Sequence, residues 1–140
     1  MGRFLDQRSS MNASGPISVP VGAPALFGIV GLQTENIAGN GGLAGGLIVD
    51  LAGNISLTSV GGPAAVDITV VRGAAVGGTT FYTQRVTFET GDTSKYVAFN
   101  AQDLNAPASI ETAYSTFVSL VSGAVTRVGP ETFWGIASQG

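Results

Sequence analysis

Cysteine and histidine are both missing from this chain. Without Cys there are no disulfide staples, no thiolate nucleophiles and no Cys metal ligands. Without His the commonest general base and the commonest metal ligand are gone. Metalloenzymes built on those residues are therefore excluded, as are Ser-His and Cys-His hydrolases. Charge is also scarce, at 11% of residues against a usual share of about a quarter. The six basic residues, Arg3, Arg8, Arg72, Arg85, Lys95 and Arg127, are scattered and form no stripe. Nucleic-acid binding and polybasic attachment to a membrane are disfavoured on that ground.

Long helical apolar runs are missing too. Residues 9–34 carry no charge, but Pro16, Pro20, Pro24, Gly15, Gly22, Gly28 and Gly31 interrupt them, and a spanning helix needs about 20 good helical residues. The polar opening, with Asp6, holds no apolar signal core. Asp6 also breaks the myristoylation pattern. The expectation is a chain made without a signal peptide that ends on an outer surface.

What the chain does have is 140 residues with 44% hydrophobic character, enough for one domain with a real core. A surface so poor in charge resists association weakly. Period-2 alternation dominates. Val66, Ile68 and Val70 share a face, as do Tyr82, Val86 and Phe88, and Tyr114, Thr116, Val118 and Leu120. Residues 25–33 suit a strand with a glycine bulge, and 95–101 set Val97 and Phe99 against Tyr96 and Ala98. Residues 47–51 and 54–60 read as two segments around an Ala52-Gly53-Asn54 hinge. Residues 124–128 and 131–138 read as two more. Gly61-Gly62-Pro63, Gly91-Asp92 and Ser122-Gly123 are turn signals. Short strands with turns every 8–12 residues predict an all-β fold, an antiparallel jelly-roll β-sandwich over residues 17–140.

Residues 1–16 read as an extended N-terminal connector arm. Phe4 and Leu5 sit among polar residues and are followed by Ser9, Ser10, Ser14 and Gly15, a flexible linker in composition. Sixteen extended residues reach roughly 50 Å, beyond the roughly 35 Å width of such a domain. A strand donated to a neighbour would satisfy an open sheet edge. Phe4 and Leu5 would add ~1.5–3 kcal/mol each if fully buried, so pairing must continue through Ile17, Val19 and Val21. These five residues are the expected assembly interface. No catalytic, cofactor or metal residues are expected.

Other signals weigh less. Gly39-Asn-Gly41-Gly-Leu-Ala44 matches a dinucleotide fingerprint but has Gly45 and Gly46 where a helix must open. Ser94 and Lys95 are adjacent on a strand, so their side chains oppose. Glu89, Asp92, Asp103 and Glu111 lack the close spacing of a Ca²⁺ loop. Tyr82, Tyr96, Tyr114 and Trp134 suit a carbohydrate site or, more commonly, a core or interface. Asn12-Ala-Ser14 and Asn54-Ile-Ser56 fit the glycosylation sequon.

Three stretches carry a resemblance: Val66-Asp-Ile-Thr-Val-Val-Arg-Gly73, Ala113-Tyr-Ser-Thr-Phe-Val-Ser-Leu-Val121, and Val128-Gly-Pro-Glu-Thr-Phe-Trp-Gly-Ile-Ala137. From Asn54 to Gly140 the chain resembles spore-surface jelly-roll domains of endospore-forming Firmicutes. These are the tumour-necrosis-factor-like heads of exosporium collagen-like proteins and the subunits of endospore appendage fibres. The resemblance implies synthesis without a signal peptide, and either homotrimers or head-to-tail fibres joined by N-terminal connectors. The chain departs from it in having no Gly-X-Y region and no cross-linking Cys. The function expected is a non-enzymatic structural subunit forming a fibre or pilus on a spore or cell surface by strand addition to a copy of itself. A spore-surface anchoring protein is a further expected partner. The alternatives are a homotrimeric binding head for a carbohydrate or receptor, and a phage or virus capsid decoration protein.

Overall fold

The computed structural model describes residues 3–34, 47–104, 106–107, 109 and 111–139. The dinucleotide-like Gly39–Ala44 run lies outside the described residues. The described residues form nine strands: β1 (Arg3–Ala13), β2 (Val19–Pro20), β3 (Ala25–Leu32), β4 (Leu47–Ser59), β5 (Ala64–Arg72), β6 (Thr79–Phe88), β7 (Ser94–Asp103), β8 (Thr112–Ser122) and β9 (Val125–Gln139). They make two antiparallel sheets, one in the order β1-β9-β4-β7 with β2 also on β9, the other β3-β8-β5-β6. The chain is an all-β, jelly-roll-like sandwich. The uncharged Ser9–Thr34 stretch is strand and connection, and among the described residues no helix is long and apolar enough to cross a membrane.

Alternation sets the faces. Val66, Ile68, Val70, Tyr114 and Val118 from one sheet meet Val49, Leu51, Ile55 and Leu57 from the other. Phe99 is the aromatic centre: it meets Phe27 edge-on at 6.0 Å and stacks with Phe133 at 6.3 Å and Tyr82 at 6.4 Å. These contacts hold the sheets at a fixed spacing, with apolar area removed from water as the main gain.

Two segmentations change. The Ala52-Gly53-Asn54 hinge is the middle of one continuous strand, β4. Gly53 is there because a Cβ would sit 2.5 Å from the Thr132 carbonyl oxygen and 2.7 Å from the Phe99 ring. Likewise Gly129-Pro130 lies within β9, where both flanking parts pair with β4. The peptide is cis, and Gly129 has φ +71, a region open to glycine. A Cβ at Gly129 would strike the carbonyl oxygen of Gly15.

The main correction concerns the arm. Residues 3–13 are an edge strand on their own subunit, with Arg3 opposite Gln139 and Ala13 opposite Glu131. The reason is hydrogen-bonding demand: without β1, the outer margin of β9 would present unpaired N–H and C=O groups. Ser9 and Ser10 are therefore strand residues opposite Trp134 and Phe133, and only Ser14 and Gly15 lie in the connection to β2.

Candidate functional site

The expected interface residues all run along β9. Phe4, opposite Ser138, points outward and is 63% exposed. Leu5 is half-buried against the core. Ile17 donates its N–H to Val128 O at 2.9 Å, Val19 pairs with Arg127, and Val21 is buried and donates to Val125 O at 2.9 Å. Val21 is thus a core residue, closed to a neighbour. What the structure brings together is a composite margin, β1 followed by β2, whose inner edge is paired with β9 and whose outer edge has no strand on it among the described residues.

Two features hold β1 in register. The Asn12 side-chain amide donates to Glu131 Oε1 at 2.6 Å. Glu131 has no exposure, and Arg127 donates to it from Nε at 2.7 Å and Nη2 at 2.5 Å. The second feature is Asp6, which accepts from the Gln33 N–H at 2.8 Å at the end of β3. Burial raises the pKa of Asp6, but the Gln33 N–H, Arg8 and the Gln7 N–H outweigh it and hold the carboxyl below its usual value.

A second buried polar cluster ties the sheets at another point. Asp103 accepts from Arg72 Nε and Nη2, each at 2.7 Å, and from the Tyr114 hydroxyl at 2.7 Å. Burial first, then the adjacent carboxylate, push the Tyr114 hydroxyl pKa well up, while the bond to Asp103 raises that of Arg72. This cluster is fully engaged in holding β7 to β5 and β8, and its groups are not aimed at a ligand.

The outer face of the β1-β9-β4-β7 sheet is unusual in chemistry. Ladder pairing sets Met11, Thr132, Asn54 and Ala98 in one row, Ser9, Trp134, Ala52 and Asn100 in the next, and Gln7, Ile136, Asp50 and Gln102 in a third. Asp50 is the only charged side chain in these rows, and it accepts from Gln102 at 2.7 Å. Tyr96, 80% exposed, borders a shallow depression of about 320 Å³ with Asn54, Ser56, Ala98 and Pro130.

The remaining candidates do not converge. Tyr82 and Tyr114 face the core while Tyr96 and Trp134 face outward, so the four aromatics line no common site. Asp103 is bound to Arg72. Asp92 receives the Glu89 N–H at 2.8 Å and lies 3.6 Å from Lys95, which sits over the Phe88 ring. Among the described residues no group of three acidic side chains could hold a metal. Sequence reading missed Met11, Trp134 and Ile136 as outward residues. The signal available was the alternation of Thr132, Trp134 and Ile136 against Phe133, legible only once that strand is known to be covered on one face.

No protein-family model matches this chain, and no curated protein matches it. Among solved structures it is similar to the Eiger tumour necrosis factor of S. frugiperda, with 14% identity over 99% of this chain and 94% of that one, at a TM-score of 0.51. It is also similar to the VP2 subviral particle of infectious bursal disease virus, with 15% identity over 96% of this chain and TM-score 0.49. The chain spans only 36% of VP2. The CBM22-1 xylan-binding domain of Paenibacillus barcinonensis Xyn10C gives 13% identity, 94% and 95% coverage, and TM-score 0.40. At these identities the likeness speaks to the fold alone.

Proposed function

We propose that this chain is a non-catalytic structural subunit that assembles with copies of itself into a fibre on a spore or cell surface. The observation that carries the proposal is the outer edge of β1, eleven residues long and without a paired strand among the described residues, on a molecule with few charges to keep copies apart. An open strand edge of that length is a template for another strand. Strand addition by β1 does not require the strand to leave β9; its second edge is the one offered. A contact between two different margins of the same molecule is heterologous, and it yields filaments where the rotation from copy to copy does not close a ring.

The charge-poor outer face around Trp134 favours a second reading, a closed oligomer packed face to face. Mass in solution separates the two. Sedimentation across a dilution series is expected to show an open ladder of species whose mean mass grows with concentration, with filaments in electron micrographs. One discrete species at every concentration supports the closed oligomer. A monomer at all concentrations up to about 1 mM, a Kd scale of roughly −4 kcal/mol, refutes self-assembly.

A further inference from the structure

We infer that the acceptor for β1 is β7 of the next copy, so that each sheet of one subunit is continued by the same sheet of its neighbour; this rests on the self-assembly proposed above. The first support is strand polarity. In the sheet β1-β9-β4-β7 every neighbouring pair is antiparallel, so β1 and β7 run in opposite directions. The other sheet, β3-β8-β5-β6, also has an even number of alternating strands, so β3 and β6 oppose as well. A copy moved sideways without inversion therefore presents β1 antiparallel to β7. The same movement presents β3 antiparallel to β6. Antiparallel pairing is the more stable arrangement per residue.

The second support is that the margins coincide. Asp6 of β1 binds the Gln33 N–H just past β3, so these two edges lie together on one side. Lys95 of β7 lies over Phe88 of β6, so those two lie together on the other. One docking event thus engages both sheets.

The third support is that β7 is the most regular of the four edges, with its charges, Lys95 and Asp103, confined to its two ends. The ladders of β3 and β6 each contain a register shift, a feature that blunts edges, and the shifts of β1 lie outside its regular Asp6 to Met11 run, the part that would pair with β7. The β4–β7 ladder runs from Val49–Asp103 to Thr58–Ser94 with none, and β7 contains no proline. At ten residues, β7 matches the length of β1.

Side-chain chemistry agrees. Continuing the rows across the seam sets Met11 beside Ala98, Ser9 beside Asn100 and Gln7 beside Gln102. These three rows bring no like charges together; the adjoining row sets Asp6 opposite Asp103, but each carboxylate already has its own cation, Arg8 for Asp6 and Arg72 for Asp103.

The chain has no Cys of its own, which makes cross-linking a clean test. Within one subunit β1 and β7 are three strand spacings apart, about 14 Å, and a disulfide needs Cα atoms within about 7 Å. The double variant Ser9→Cys/Asn100→Cys, with Gln7→Cys/Gln102→Cys and Met11→Cys/Ala98→Cys to cover register, is oxidised mildly and run on non-reducing gels. Expected is a ladder of trimers and larger species, while each single variant stops at dimers. The control Ser9→Cys/Thr83→Cys, with its second thiol on the far face of β6, is expected to give no ladder. If all three pairs fail to ladder while sedimentation still shows oligomers, β7 is not the acceptor and self-assembly stands. If the protein is monomeric throughout, both readings fall.

Discussion

Asn12 and Glu131, separated by 119 positions in sequence, meet at 2.6 Å beneath the margin of the sheet. Glu131 is already forked by Arg127, so the Asn12 amide is a third donor to a fully buried carboxylate. The contact joins a strand with few core residues to the pair that anchors the bend of β9. It ties the register of β1 to a charge that has no route to water.

Asn12→Ala is therefore expected to loosen β1 without unfolding the sandwich. A hydrogen bond to a charged group contributes about 1.5–3 kcal/mol. Amide exchange over residues 4–13 should accelerate at least tenfold, while exchange in β5 and β8 stays unchanged. Equal acceleration everywhere would mean that β1 has no local stability of its own.

Glu131→Gln leaves the Arg127 guanidinium buried without its counter-charge. Breaking one partner of a buried pair costs about 3–5 kcal/mol. The unfolding free energy should fall by that amount, read as a lower denaturation midpoint with an unchanged denaturant slope. A loss under about 1 kcal/mol would show that water reaches Arg127.

Asp103→Asn removes the anion shared by Arg72 and Tyr114. Asp103 is nearly fully buried but a quarter of the Arg72 side chain is exposed, so the expected loss is toward the lower end of about 3–5 kcal/mol. Tyr114→Phe, which keeps the ion pair and removes only the hydroxyl, should cost less, about 1.5–3 kcal/mol. Thermal melts of the two variants test the ranking.

Gly53→Ala places a methyl 2.5 Å from a backbone oxygen and 2.7 Å from the Phe99 ring. The backbone of β9 is fixed by its ladder with β4, so the strain has nowhere to go. Overpacking of this kind costs about 1–3 kcal/mol. Urea denaturation measures it, and a neutral outcome would show that the two strands can separate locally.

Acid should release the N-terminal strand first. The pKa of Asp6 is lowered in the folded state, so its contribution is present above the unfolded value and is lost as pH falls through the folded one. The window lies below about pH 4. The protection of the Gln33 amide, measured by NMR as its exchange rate relative to the intrinsic rate at each pH from pH 5 to pH 2, should fall in wild type. In Asp6→Asn that protection should already be low at pH 5.

Much of the sandwich is legible from residues alone. Alternation places Val66, Ile68 and Val70 inward, and likewise Tyr114, Thr116 and Val118, because a strand buried on one face must repeat every two residues. The glycine bulge expected in 25–33 appears as the shift between Leu26 and Gly28. Where local rules misled, a long-range contact had overridden them. Gly53 and Pro130 read as breaks by composition, yet both lie inside long strands because partners on each side supply the hydrogen bonds.

The same division holds for function. The inventory without Cys and His, the scarcity of charge and the period-2 pattern were decided by sequence, because they are properties of residue types and their spacing. Whether residues 3–13 stay home or reach outward was decided by tertiary structure, since nothing local in Arg3–Ala13 records that the margin of β9 is vacant. The same is true of the outward row through Trp134 and of the opposed directions of β1 and β7. These depend on which strands become neighbours, and pairing between residues over a hundred positions apart is fixed only when the whole sheet closes.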